Sequence, residues 1–202
     1  MNHIEKKYLS LASIKSDINE HLPTLYGYAK ECETVLELGV RGCVSSYAFA
    51  LGLLHNNKKT KFLMMNDLTE CDIAQLKHYA KNTDLDIKYK WVNDLELDTP
   101  LFDLTFIDTY HVYGQLIREL EKFAPLTNKY IIMHDTEVDK VHGECIRNGW
   151  DPERMARITN FAAGEHKLGL QFAIDEFLER NNNWKIKEIF TNNNGLTILK
   201  RR

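Results

Sequence analysis

The sequence lacks a strong charge excess, a long apolar run and any paired cysteine motif. Its 202 residues carry 26 Lys and Arg against 29 Asp and Glu, a formal net charge of −3. That balance argues against a protein that binds nucleic acid mainly through phosphate contacts. No apolar stretch approaches the roughly 20 residues needed to span a bilayer. Met1 to Ser10 is polar and mixed in charge, unlike a signal peptide. The four cysteines, Cys32, Cys43, Cys71 and Cys145, form no CxxC pair and have no zinc-like spacing. Free, buried thiols in a reducing compartment are the expectation. The expected setting is therefore cytoplasmic, with neither a membrane nor a nucleic acid as partner. No internal repeat and no long linker interrupts the chain, and one domain over 1–202 is expected.

What is present is an alternation of helical and strand patterns, which indicates an α/β fold. Ile18, Leu22, Leu25, Tyr26 and Ala29 share one face of a first helix, with Ser16 and Asp17 at the N-cap position. Thr34–Leu38 reads as the first strand. Val44, Tyr47, Ala48 and Leu51 mark the next helix. Lys61–Asn66, Ile87–Trp91, Asp103–Ile107 and Lys129–Met133 read as four further strands, and Asp72–Lys81 as a helix. Leu116, Ile117, Leu120, Phe123 and Ala124 form a helical stripe stopped by Pro125. Leu170, Ala173, Ile174, Phe177 and Leu178 form another. Trp184–Phe190 and Leu196–Lys200 flank Asn194-Gly195, a hairpin signal. The sum is a Rossmann-like three-layer α/β/α sandwich with a seven-stranded mixed sheet ending in an antiparallel hairpin. Residues 1–32 read as an N-terminal helical cap. Residues 136–167, with weak periodicity, read as a substrate or lid insertion.

Open α/β sheets bind ligands beyond the carboxyl ends of their strands. The first strand here runs into Glu37-Leu38-Gly39-Val40-Arg41-Gly42-Cys43-Val44-Ser45, a glycine turn at a helix N-terminus. The second ends at Asn66-Asp67, the third is followed by Asn93-Asp94, the fourth ends at Asp108 and the fifth at His134-Asp135. Each alone is an ordinary cap or loop residue. Five in series point to a site.

This pattern resembles the class I S-adenosylmethionine-dependent methyltransferases. It is most similar to the small metal-dependent O-methyltransferases of the cephalosporin hydroxylase-like, macrocin-type and rhamnosyl groups. The matching segments are Val35 to Gly42, Phe102 to Asp108 with His111 and Tyr113, Ile131 to Asp135, and Gly169 to Leu178 followed by Trp184 and Gly195-Leu196. The resemblance implies that Glu37 and Gly39, with Gly42 and Ser45, line the methionine and ribose side of S-adenosylmethionine. Asp67 would accept from the ribose hydroxyls. Asp94, with Asn93, would face the adenine, and Asp108 the reacting methyl. The turn departs from the group in one respect. Only two residues separate Gly39 from Gly42, and Cys43 stands where the second motif glycine belongs. Which backbone amide meets the cofactor is left open.

In that group an acid after strand four and two adjacent residues after strand five hold a divalent metal. Here these are Asp108, His134 and Asp135. Neighbouring strands lie about 4.8 Å apart, so their end groups can share one ion. Oxygen ligands suit magnesium. His134 replaces what is often an acid, and could be a ligand for a softer metal, a base or a strand-end filler. His111, three residues past Asp108, is the expected general base, with a capping role as the bland alternative. His21, His142 and His166 read as surface or loop residues. The implied reaction is O-methylation of a sugar, glycan precursor or other polyhydroxylated small molecule. A homo-oligomer is compatible with the sequence. Two other readings stand beside it. One is a non-catalytic S-adenosylmethionine-binding module. The other is an NAD-dependent enzyme, disfavoured because Glu37 occupies the first glycine of a GxGxxG turn and would repel a pyrophosphate.

Overall fold

The computed structural model describes residues 2–202; Met1 of the expected N-terminal cap lies outside them. The chain runs α1 (His3–Ser13), α2 (Leu22–Lys30), β1 (Thr34–Leu38), α3 (Val44–Leu54), β2 (Phe62–Asp67), α4 (Ala74–Ala80), β3 (Asp86–Trp91), β4 (Phe102–Ile107), α5 (Tyr113–Phe123) and β5 (Thr127–His134). Two helices, α6 (Glu144–Arg147) and α7 (Pro152–Thr159), precede α8 (Leu170–Arg180), β6 (Trp184–Phe190) and β7 (Leu196–Arg201). The seven strands form one sheet in the order β3-β2-β1-β4-β5-β7-β6. β1 to β5 are parallel, and β7 joins β5 and β6 antiparallel. The expected mixed sheet with its terminal hairpin is present.

Alternation along the strands builds two cores. Val35, Leu63, Phe106 and Ile132 pack on one face with residues of α1, α2 and α3. Leu36, Leu38, Ile107, Ile131 and Met133 pack on the other with α5 and α8. The α5 stripe is buried as its period requires, from Leu116 to Phe123. All four cysteines are buried and free. Among the described residues no helix is long and apolar enough to cross a membrane.

Three local readings change. The first helix does not begin at Ile18. A 3-10 turn spans Asn19–His21, and α2 starts at Leu22 with Pro23 in its first turn, where a missing N–H costs nothing. Ser16 still caps, but its hydroxyl accepts from the Asn19 N–H of that 3-10 turn, at 3.0 Å. Second, the expected helical cap opens with a separate helix, α1. Asn2 caps it by accepting from Glu5 N at 2.7 Å, and it buries only Ile4 and Tyr8. Third, residues 136–167 are not irregular throughout. Asp151 caps α7 and Pro152 opens it.

Strand register positions the site. Leu38 on β1 is level with Ile107 on β4, and Ile107 with Met133 on β5. The residues that follow these three therefore emerge side by side at one sheet edge. The central strand is held by Phe106, fully buried, whose ring lies 5.2 Å from that of Phe49 on α3. Phe106→Ala is expected to cost about 3–5 kcal/mol, read as a lowered urea midpoint with an unchanged slope.

Candidate active site

The glycine turn leaves β1 under tight constraint. Gly39 has φ +84°, and a Cβ there would fall on the backbone carbonyl of Asp108, so only glycine fits. Arg41 (φ +42°) and Cys43 (φ +58°) also take the left-handed region. For such residues this costs about 1–2 kcal/mol each. Cys43 thus adopts a backbone conformation that glycine takes at no steric cost. Gly42 has open space around its Cβ position and a φ outside the left-handed region, so nothing here demands glycine at that position.

The Asp67 carboxylate holds this turn. Its Oδ2 accepts from the N–H groups of Val40 at 2.9 Å and Arg41 at 3.0 Å. Its Oδ1 accepts from Thr69 N at 2.8 Å and Thr69 Oγ1 at 2.9 Å. Burial would raise the Asp67 pKa, but the N–H donors of Arg41, Thr69 and Val40 outweigh it and lower it. The Arg41 guanidinium reaches Asp17 at 2.7 Å.

The other expected cofactor residues are engaged with the protein. Glu37 is fully buried and accepts from Ser45 Oγ at 2.6 Å, while its Oε2 has no partner. Asn66, not among the expected cofactor residues, donates to the carbonyls of Lys90 and Val92. Asn93 caps its own turn by accepting from Leu95 N at 3.0 Å. Asp94 is buried, and both of its oxygens accept from Gln115 Nε2 at 3.2 Å.

At the ends of β4 and β5 four side chains converge. His111 Nε2 lies 3.2 Å from Asp108 Oδ1, and its Nδ1 lies 3.0 Å from Asp135 Oδ2. His134 Nδ1 is 3.3 Å from Asp108 Oδ1 and 3.4 Å from Asp135 Oδ1. His134 Nε2 contacts the carbonyls of Asp17 and Asn193, both at 3.2 Å. A carbonyl only accepts, so Nε2 carries the proton and Nδ1 is the nitrogen turned to the carboxylates. Asp135 itself has φ +57°, which turns its side chain back toward the cluster.

Two more acids complete the surroundings. Asp139 Oδ2 and Glu144 Oε2 lie 3.4 Å and 3.6 Å from His111 Nδ1. Asp139 is buried and gripped by Arg147, with Nε donating at 2.7 Å and Nη2 at 2.9 Å. Burial would lower the His111 pKa, but hydrogen bonds to Asp108 and Asp139 with the Asp108 and Asp135 charges raise it well above the usual value. Those contacts suit a held cation or a metal ligand, and they argue against His111 as the free base expected from sequence. Burial tends to raise the Asp108 pKa, and the His111 and His134 hydrogen bonds bring it below the ordinary carboxylate range.

The fit to a divalent ion can be tested on these atoms. Asp108, His111 and Asp135 offer ligand atoms that all lie within 4.8 Å of one another. His111 Nδ1 and Asp135 Oδ1 are buried without a well-aligned hydrogen-bond partner. The donor set fits a cation. His111 joins the two expected acids in that group, and His134 touches the same carboxylates from the buried side, 2% exposed.

Sequence reasoning missed Asp139, Glu144 and Arg147, which lie in the segment of weak periodicity. It also missed Glu119, buried on α5, where Thr109 Oγ1 donates to it at 2.5 Å and Gln115 Nε2 at 2.9 Å. The available signal was an acid on the apolar stripe, three residues past Leu116 and four before Phe123. His21 and His166, expected as surface or loop residues, lie in short 3-10 turns and are buried at 1% and 0% exposure. His21 packs 5.7 Å from His134, ring to ring, and His166 accepts or donates at Tyr110 OH. His142 is exposed as expected.

No family profile matches this sequence, and no curated protein does. Solved structures do match in shape. A putative caffeoyl-CoA O-methyltransferase from Staphylococcus aureus superposes with a TM-score of 0.62 at 15% identity, covering 100% of this chain and 93% of that one. The SAH-bound methyltransferase PaMTH1 from Podospora anserina gives 0.60 at 12% identity, covering 100% and 89%. The N-methyltransferase NodS from Bradyrhizobium japonicum, in complex with S-adenosyl-L-homocysteine (SAH), gives 0.58 at 13% identity, covering 99% of each. The chain has the methyltransferase fold. At these identities the likeness shows the fold alone.

Glu37 supplies a test of the site's electrostatics. Burial first, with the nearby Asp108 and Asp67 charges, pushes its pKa up to about 8, partly offset by the Ser45 hydroxyl. The folded state then binds a proton that the unfolded state has lost. Glu37 therefore opposes folding progressively as pH rises from the usual carboxylate range through about 8. Glu37→Gln is expected to stabilise the protein at pH 9 by on the order of 2 kcal/mol more than at pH 5, read from denaturant midpoints at both values.

Proposed function

We propose that the chain is an S-adenosylmethionine-dependent O-methyltransferase, assisted by a divalent cation, acting on a hydroxyl of a sugar or other polyhydroxylated small molecule. The observation that carries the reading is a juxtaposition. The glycine turn touches Asp108 directly, because Gly39 lies against the Asp108 carbonyl, and Asp108 is also the acid of the cluster. A methyl donor seated at the turn would therefore face whatever the cluster holds. Fold neighbours bound to SAH support the choice of cofactor, and putative O-methyltransferases among them support the choice of acceptor atom.

Asp108, His111 and Asp135 are the residues assigned to the cation, and their mostly oxygen donors favour magnesium. A cation there supplies Lewis acidity that lowers the pKa of an acceptor hydroxyl. The protein's part is orientation. Strand register fixes Asp108 and Asp135, and His134 locks both from the buried side. Glu144 N donates to the His111 carbonyl at 2.8 Å and so ties α6 to the cluster. With His111 enclosed by acids, a carboxylate of the cluster is left to take the hydroxyl proton. Positioning then carries most of the rate enhancement.

Calorimetry with SAH should show saturable binding; its absence would sink the cofactor assignment. If nicotinamide cofactor raises the melting temperature and SAH does not, the dinucleotide reading replaces it. Manganese titration followed by electron paramagnetic resonance tests the cation. His111→Ala or Asp135→Asn should weaken it at least about tenfold, the loss of one ligand, with SAH affinity held within about threefold. SAH binding with no manganese site would favour the non-catalytic module.

A further inference from the structure

We propose that His166 is a positioning residue that latches residues 150–166 to the loop between Asp108 and His111, so that this segment is a fixed wall of the site and not a moving lid. The latch rests on geometry alone; its effect on a cation rests on the cation assignment above. His166 is fully buried in the 3-10 turn Ala163–His166. Its Nε2 lies 3.0 Å from Thr159 Oγ1 at the end of α7, and its Nδ1 lies 3.1 Å from the Tyr110 hydroxyl. Thr159 has one hydroxyl proton and gives it to the Met155 carbonyl at 3.0 Å, while its oxygen accepts from Phe161 N at 3.2 Å. Toward the ring that oxygen can only accept, so Nε2 carries the proton. Nδ1 is then the acceptor, and Tyr110 donates to it. Burial first lowers the His166 pKa, the Glu165 charge raises it and the Arg118 charge lowers it, and the net fall keeps the ring neutral. The Cys145 thiol lies beside the Tyr110 hydroxyl but directs its own proton to the Trp150 carbonyl at 3.5 Å.

The rest of the segment is fastened on the same side. Arg118 on α5 forks onto the Glu165 carboxylate at 3.0 Å and 3.3 Å. Its guanidinium also lies 4.2 Å from the centre of the Phe161 ring. Gly114, in the first turn of α5, permits this approach, because a Cβ there would come within 2.9 Å of Glu165 Cβ. The Trp150 ring packs 6.2 Å from that of Tyr110. Tyr110 in turn stands between Asp108 and His111 in the chain, and its carbonyl accepts from Val112 N at 2.9 Å. Holding its hydroxyl fixes the loop from which both side chains reach the cluster. His166 therefore acts on the cation residues through Tyr110, from 56 residues further along the chain.

Three measurements test this. In ligand-free wild-type protein at neutral pH, long-range proton–nitrogen NMR of the histidine rings should show His166 neutral and protonated on Nε2. Tyr110→Phe should move its Nδ1 resonance. A ring protonated on Nδ1, or an Nδ1 resonance indifferent to Tyr110→Phe, overturns the latch. Amide exchange in α7 should be slow in wild-type protein and at least about tenfold faster, relative to Ile132, in His166→Ala, as loss of two buried hydrogen bonds requires. His166→Gln, whose amide both donates and accepts, should restore much of the protection. Exchange in α7 as fast in wild-type protein as in His166→Ala overturns the fixed wall. Manganese binding, followed by electron paramagnetic resonance, should weaken at least about threefold in His166→Ala and Tyr110→Phe, less than loss of a direct partner of a metal ligand, and recover in His166→Gln. Unchanged manganese affinity in both variants overturns the positioning role. If wild-type protein binds no manganese, the cation assignment fails and that role with it, and the ring and exchange measurements still decide the latch.

Discussion

The Asp108 carboxylate meets two imidazoles, 3.2 Å and 3.3 Å away, at the point where β1, β4 and β5 end level with one another. Much of the molecule is arranged around that contact. A buried carboxylate is costly unless a positive group or a set of donors faces it. Here the opposing charges come from different elements, so the cost of separating them ties those elements together. His111 leads into α5, His134 ends β5, and the hydrogen bonds between His111 and Glu144 draw in α6. Asp139 then needs Arg147, whose two-pronged grip fixes the far side of the same loop.

The periphery answers to the same centre. His134 Nε2 needs acceptors, and they are carbonyls from two distant segments, Asp17 and Asn193. Asn193 also donates to the Ser16 carbonyl at 2.7 Å and accepts from Glu20 N at 3.0 Å. His21 Nε2 meets the Asn192 carbonyl at 3.0 Å. The N-terminal segment and the β6–β7 turn are thus stitched to each other over the back of the cluster. Asp17 carries the seam forward to Arg41 and the glycine turn. The exposed Arg41–Asp17 pair adds little stability on its own. Its value is that it links two elements already held by hydrogen bonds of their own.

The fold was legible because its signals are periodic. β1 and β6 match their expected bounds, the other strands agree within two residues, and the α5 and α8 stripes are buried apart from the partly buried Leu178. The strand-end rule brought Asp108 and Asp135 together correctly in space, since it depends only on register. What the sequence did not reveal was where polar side chains turn. Glu37, Asp67 and Asp94 sit at the positions expected of ligand-facing acids, yet Ser45, the turn amides and Gln115 engage them from within the protein. No spacing rule distinguishes a carboxylate that faces a ligand from one that accepts from its own backbone. His111 shows the same limit. Its place after Asp108 suggested a base, but Asp139 and Glu144, 28 and 33 residues on, decide its environment.

The histidine at 134 becomes intelligible through charge. Asp108, Asp135, Asp139 and Glu144 bring four carboxylates within 3.6 Å of His111 nitrogens. Arg147 offsets Asp139, and one protonated histidine offsets a second acid, which still leaves two. An acid at 134 in place of the imidazole would add a third uncompensated charge in a position only 2% exposed. With His134, whose pKa burial tends to lower and the Asp108 hydrogen bond and acid charges raise, the cluster can approach neutrality without a metal. A divalent cation bound beside His111 would then take over the charge that the His111 proton supplies, and the two would exclude each other. The imidazole at 134 and the placement of His111 act together in this sense. They set two imidazoles against the acids of the site, so that part of its charge is balanced by the protein's own side chains.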